Sequence, residues 1–212
     1  VPYAIGVVQV PVFRVKSIAT ITQYFIGAFL RQNFNSCFHC FICYFLCSHP
    51  GIEPGRNRLG LIYELIDGIV CMSKPNIEHQ RISGKIIRKL GEHFDNKKCE
   101  PLQEIEVKLK EDILVPDISV ICDDSKLTEQ RYNGAPTMVL EILSPSTAHM
   151  DLFAKLYKYE AFGVSEYWII TPKGKTVTVH NFNEGNVTVY DETEIALSEV
   201  FEGLEIKLSE IF

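Results

Sequence analysis

Met138-Val139-Leu140-Glu141-Ile142-Leu143-Ser144-Pro145-Ser146-Thr147 is the stretch that decides how this chain folds. Its first six residues form a nearly continuous apolar run of strand length, as a strand buried on both faces requires. Ser144 to Thr147 then stop the run, and their hydroxyls can cap a helix over roughly 148–162, which Gly163 closes. A buried strand followed at once by a helix predicts an α/β domain built on a central sheet. Glu141 does not fit this pattern. A carboxylate inside an apolar strand is costly unless it is paired or bound to metal.

The elements on either side extend the pattern. Upstream, Glu104–Leu109 and Val115–Ile121 read as strands. Ile62–Glu64 and Ile69–Met72 flank Asp67-Gly68, a strong signal for a two-residue hairpin. Between these blocks Asn76 can cap a helix in which Ile82, Ile86, Leu90 and Phe94 recur every four residues on one face. Downstream, Glu166–Thr171 carries the only Trp, Thr176–Asn181 and Asn186–Tyr190 form a hairpin over Asn183-Glu184-Gly185, and Leu204–Ile211 follows. The order β-β-α-β-β-β-α-β-β-β predicts an α/β sandwich with a mixed central β-sheet flanked by helices.

With 212 residues, 46% of them hydrophobic and 23% charged, whole-chain disorder is excluded. A net charge of −6 argues against a strongly basic nucleic-acid coat protein, but not against a local basic face. The composition is uneven. Residues 1–50 contain Arg14, Lys16 and Arg31 and no acid, whereas the remainder holds 18 basic and all 27 acidic residues. We therefore expect residues 1–51 to be an apolar, Cys-rich extension outside the working domain, which spans 52–212. Cys37, Cys40, Cys43 and Cys47 have the ferredoxin C-x2-C-x2-C-x3-C spacing. The residues between them are mostly aromatic and aliphatic, no Gly lets the backbone turn onto sulfur, and Ser48 stands where that motif has Pro. An iron–sulfur or membrane-attached protein acting through residues 37–47 is thus an alternative reading, although neither neighbouring apolar run reaches the ~20 residues of a spanning helix. No signal peptide is expected, because the apolar run lies too deep in the chain. Cys71, Cys99 and Cys122 lack metal spacing and read as reduced, packed thiols of a cytoplasmic protein.

Asp117, after Pro116, is a second carboxylate within an expected strand. If neighbouring strands bring Asp117 and Glu141 together, two carboxylates and a strand carbonyl make a hard oxygen site suited to Mg²⁺. The alternative is two strand ends facing solvent. Such a site wants an amine beside it, to orient water and offset charge building on phosphorus. Alternation along the strand offers position 143, which is Leu. Lys155 on the following helix is the next candidate, unless it only pairs with Asp151 at the surface.

These motifs in this order are Tyr63-Glu64-Leu65-Ile66-Asp67-Gly68, His79-Gln80, Pro116-Asp117, Glu141 through Thr147, Asp151 with Lys155, and Gly163-Val164-Ser165-Glu166-Tyr167-Trp168-Ile169. The set resembles the Uma-type restriction endonucleases, a family of the PD-(D/E)XK nuclease superfamily, over roughly residues 60–212. The resemblance implies a restriction-endonuclease-like sandwich and a Mg²⁺-dependent endonuclease, with Mn²⁺ as a possible substitute, that hydrolyses DNA phosphodiester bonds. It implies Asp117 and Glu141 as metal ligands and Lys155 as the amine, since Leu143 departs from the superfamily's lysine. Glu64 matches an acidic position of the first hairpin, either as an outer metal contact or as an exposed strand residue. His79 and Gln80 match a helix pair near the site, the alternative for His79 being the commoner cap or packing residue. Tyr159 reads as core. Arg81, Lys85, Arg88 and Lys89 are candidates for phosphate contacts, the alternative being a solvated helix face. A homodimer is implied because a duplex has two strands to cut. A nuclease fold that has lost cleavage and only binds is the other alternative.

Overall fold

Pro116 splits what the sequence reads as one strand. In the computed structural model, which describes residues 55–56, 62–73, 75–144 and 150–212, the chain leaves one sheet at Leu114 and enters another at Ile118. Proline has no N–H for a ladder and holds its neighbour extended, so Val115-Pro116-Asp117 becomes a linker between the sheets.

The first sheet is built on a hairpin. Strands β1 (Gly55–Arg56), β2 (Ile62–Ile66) and β3 (Ile69–Ser73) pair antiparallel through β2. The β2–β3 turn is Asp67-Gly68, both at positive φ (51° and 75°), the backbone that a type I′ turn requires. Helix α1 (Ile77–Phe94) follows, its first turn held by Asn76 Oδ1, which accepts the His79 N–H at 2.9 Å. Next come β4 (Glu100–Gln103), β5 (Glu106–Leu109), β6 (Asp112–Leu114) and β7 (Ile118–Ile121). Then β8 (Arg131–Tyr132) and β9 (Met138–Ile142) lead to a wide π-helical stretch at Met150–Lys155 and helix α2 (Leu156–Phe162). Gly163 ends α2 at φ 87°. Strands β10 (Glu166–Thr171), β11 (Thr176–Asn181), β12 (Asn186–Asp191), β13 (Ile195–Leu197) and β14 (Glu205–Lys207) complete the described chain.

The hairpin sheet has the order β1-β2-β6-β5-β8, with β3 beside β2. The central sheet runs β12-β11-β10-β9-β7-β4, and it is mixed, since β9 and β10 are parallel while its other pairs are antiparallel. Alternation along β9 gives each face its own core. Met138, Leu140 and Ile142 pack with Ile82, Ile86, Leu90 and Phe94 of α1. Val139 packs with Tyr159 of α2 and with Ile66, Val107 and Leu114 of the hairpin sheet. Burying each large apolar side chain contributes roughly 1.5–3 kcal/mol, so both flanking layers are held chiefly by this apolar area.

Several expectations are corrected. The stretch 115–121 is a linker plus a four-residue strand, and β4 and β6 were not anticipated as strands. β4 contains Pro101 and lies at the sheet edge, where proline is tolerated but gives no strand signal. The second helix is shorter than expected and begins in π-helical form. Cys99 and Cys122 are not reduced thiols. They form a disulfide across the β4–β7 pair, and Cys71, on β3, lies outside it. The iron–sulfur spacing at Cys37–Cys47 and most of the Ser144–Thr147 cap lie outside the described residues. Among the described residues no helix is long and apolar enough to cross a membrane.

Candidate active site

Extending the β7–β9 register by one step, from Ile118 opposite Leu140, sets Asp117 opposite Glu141. Both side chains then project from the central sheet toward the hairpin sheet and α2. Glu64 comes from that hairpin sheet, on the same face of β2 as the buried Ile62 and Ile66. Lys155 sits where the π-helical stretch passes into α2. His79 occupies the first turn of α1. These five residues line one cleft and are all buried, at 3–8% exposure. The solvent-facing alternatives for Asp117, Glu141, Glu64 and Lys155 are thereby removed.

The hydrogen bonds give each group an orientation. Asp117 Oδ2 accepts from the Ile142 backbone N–H at 2.7 Å and lies 3.0 Å from His79 Nε2. Glu141 Oε1 accepts from Lys155 Nζ at 2.9 Å and from the Tyr159 hydroxyl at 3.0 Å. Glu64 Oε1 accepts from the Val115 N–H at 2.8 Å and lies 3.0 Å from the same Lys155 Nζ. Lys155 and Tyr159 stand four residues apart and share one helix face. Full burial, with Glu141 nearby, pushes the Tyr159 phenol well above its ordinary pKa, so it remains a neutral donor.

Tyr159 was read from sequence as core. It is core, but its hydroxyl also contributes to the site, and nothing in a four-residue spacing distinguishes that from packing. The N–H groups of Val115 and Ile142 were likewise invisible, because backbone donors carry no sequence signature. Gln80 lies outside the cleft and donates from Nε2 to Glu104 Oε1 at 3.3 Å. The Asp151 side chain lies outside the described residues. The four basic residues of α1 do not gather at the cleft. Lys85 Nζ donates to the main-chain oxygens of Ile211 (3.2 Å) and Phe212 (3.3 Å), and Lys89 pairs with Glu210 at 2.8 Å, which also raises the lysine pKa. Arg81 and Arg88 are exposed.

The fit to a cation follows from charge and donor type. Three acidic side chains, one lysine and one histidine line the cleft, so its formal charge is negative even with the imidazole counted as a cation. All three acids offer hard oxygen, the preference of Mg²⁺ and Mn²⁺ over softer ions. Among the described residues no three His, Cys, Asp or Glu side chains are already spaced as a coordination cage. The carboxylate oxygens named above instead accept protein donors.

A crystal structure described as a putative nuclease of DUF820 from Anabaena variabilis ATCC 29413 has the same fold. It superposes with a TM-score of 0.64 at 20% identity, covering 79% of this chain and 94% of that one. The uncharacterized protein slr1290 of Synechocystis sp. (strain ATCC 27184 / PCC 6803 / Kazusa) is 26% identical over 128 residues, 58% of this chain and 67% of that protein. The family model described as "Uma2: Putative restriction endonuclease" matches residues 54–209, which contain every residue of the cleft. On that match the chain belongs to the Uma2 family of restriction-endonuclease-type proteins.

Proposed function

We propose that this protein is a Mg²⁺-dependent endonuclease that hydrolyses phosphodiester bonds in DNA. The observation that carries the reading is the convergence of Asp117, Glu141 and Lys155, from two strands and a helix, in one buried cleft of a nuclease-family fold. Asp117 and Glu141 would hold the divalent ion. An ion bound there supplies Lewis-acid chemistry, polarising a phosphoryl oxygen and lowering the pKa of bound water.

The protein's own groups do the rest. Lys155 presents a fixed ammonium that donates to the attacking water or to a non-bridging phosphate oxygen, offsetting negative charge as it builds on phosphorus. Tyr159 and Lys155 together hold Glu141 through Oε1. His79 and the Ile142 N–H hold Asp117 through Oδ2. The exposed Arg81 and Arg88 are the α1 residues available to backbone phosphates, whereas Lys85 and Lys89 are engaged with the last residues of the chain. Two strands to cut make a homodimer the expected working assembly, to be checked by light scattering with and without duplex. The action on DNA places the working protein in the cytoplasm.

The test is cleavage of plasmid and single-stranded DNA with Mg²⁺, Mn²⁺ or EDTA. Cutting is expected with either metal, abolished by EDTA, and slowed about 10²-fold or more in Lys155→Ala, the usual contribution of a positioned proton donor or acceptor. Strong cutting in EDTA, or an undiminished rate in Lys155→Ala, overturns the mechanism. Retained DNA binding in Asp117→Ala with no metal-dependent cutting by the native protein would leave a binding module instead.

A further inference from the structure

The sequence leaves Glu64 between an outer metal contact and an exposed strand residue. We infer a third role: Glu64 is a positioning residue that fixes Lys155 and the Val115–Asp117 linker, and it does not hold the metal. This deepens the nuclease reading, on which the role of Lys155 rests.

Four observations carry the inference. Glu64 projects from the hairpin sheet, whereas Asp117 and Glu141 stand opposite each other across β7 and β9 of the central sheet. Asp117 and Glu141 are therefore neighbours within one sheet, whereas Glu64 reaches the same cleft from the other layer. One Glu64 oxygen, Oε1, meets both Val115 N–H at 2.8 Å and Lys155 Nζ at 3.0 Å. Val115 opens the linker that carries Asp117 two residues later, so a single carboxylate oxygen sets the linker and the ammonium relative to each other. On its other side Lys155 Nζ meets Glu141 Oε1, itself tied to the Tyr159 hydroxyl. The ammonium thus sits between two oxygens, each anchored by a second protein donor.

Charge balance points the same way. One carboxylate neutralises one ammonium, and burying a second carries a desolvation cost with no further gain in neutrality. What the second carboxylate adds is direction. Lysine has a flexible four-carbon stem and three rotatable donors, and a second acceptor restricts where the remaining N–H bonds can point. A fixed ammonium is what an amine acting in a transition state requires.

The test uses the full chain and four variants, with Glu64→Asp in reserve. In Glu64→Gln the amide oxygen can still accept Val115 N–H, but one of the two carboxylates facing Lys155 is gone. Mn²⁺ affinity by calorimetry is expected to stay close to that of the native protein in Glu64→Gln and to be lost in Asp117→Asn. The cleavage rate constant at saturating Mn²⁺ is expected to fall about 10²-fold with KM little changed, as for loss of a positioned transition-state group. The double variant Glu64→Gln with Lys155→Ala should cut no more slowly than Lys155→Ala alone, since Glu64 acts through that lysine. In nitrogen-15 NMR of the lysine side chains, a slowly exchanging Nζ signal absent from Lys155→Ala should be lost in Glu64→Gln. If Glu64→Gln does not fold, Glu64→Asp serves for the same signal, because it retracts the carboxylate by one methylene. Loss of Mn²⁺ affinity in Glu64→Gln equal to that of Asp117→Asn makes Glu64 a ligand and overturns the inference. So does an additive loss in the double variant, or an unaltered Nζ signal. The NMR readout needs no cleavage, so a protein that cuts nothing overturns the proposed activity and leaves Glu64 to be judged on that signal.

Discussion

At the scale of single residues, the cleft is organised by side chains that share an acceptor. Tyr159 and Lys155 both donate to Glu141 Oε1, so removing the hydroxyl in Tyr159→Phe takes one donor from that oxygen while keeping the ring packed against Tyr167. We expect a loss of about 0.5–1.5 kcal/mol in urea unfolding, the usual worth of one hydrogen bond, because the ring volume is unchanged. Glu166 shows the opposite regime. It is fully buried on β10, and burial pushes its carboxyl above the usual value although Ser198 Oγ and the Glu199 N–H both donate to it. A carboxyl with a raised folded pKa holds its proton more tightly in the native state. Stability therefore falls as pH rises from the ordinary carboxylate value through the raised one, and is constant above it. Glu166→Gln can keep both partners, through an amide oxygen and an amide N–H. It should flatten that slope, seen as a urea midpoint that changes less between mildly acidic and neutral pH than in the native protein.

At the scale of elements, what was legible depended on punctuation and period. β10 and β11 were located to the residue because Gly163 and the turn at Pro172-Lys173-Gly174 bound them and their apolar content is unambiguous. The face of α1 was equally plain, since Ile82, Ile86, Leu90 and Phe94 repeat every four residues and all four are buried. β4 was not, because Glu100-Pro101-Leu102-Gln103 has neither alternation nor β-branched residues; it is a strand only because β7 offers a ladder and α1 covers it. The disulfide was hidden for a related reason. Cys99 and Cys122 are 23 residues apart and meet only once β4 and β7 are in register, with Glu100 opposite Ile121. Closing a loop of that length is worth about 3 kcal/mol in the chain-entropy model. Dithiothreitol, or Cys99→Ser with Cys122→Ser, should accordingly lower the melting temperature, while a melt unchanged by reductant would show that the bond does not form in solution. The cleft was half legible. Asp117, Glu141 and Lys155 declared themselves as charge in apolar or helical surroundings, but the backbone N–H groups of Val115 and Ile142, which set two of the carboxylates, have no side-chain signal.

At the scale of the molecule, the cleft lies where three layers meet, and its geometry is inherited from their packing. The central sheet supplies Asp117 and Glu141, the hairpin sheet Glu64, α1 His79, and α2 Lys155. α2 is pinned to the hairpin sheet a second time by Lys158, which bonds Asp67 Oδ1 at 2.7 Å and Asp112 Oδ2 at 2.6 Å, while Asp112 Oδ1 accepts Asp67 N–H at 2.8 Å. Both partners hold the Lys158 ammonium protonated against partial burial, so its pKa is raised. Lys158→Met removes the cation and leaves Asp112 buried at the layer boundary. We expect it to destabilise by about 1–3 kcal/mol, the cost of stranding a hydrogen-bonding partner, and to reduce cleavage by loosening the helix that carries Lys155. The described residues alone supply the contacts and the two apolar cores named above, and the family match begins at residue 54. A chain starting at Ile52 is therefore expected to melt cooperatively at the same temperature as the full chain and to retain its metal-dependent cutting. A truncated protein that loses its cooperative melt would instead assign residues 1–51 a structural role in the domain, because the described layers would then be insufficient to hold the cleft.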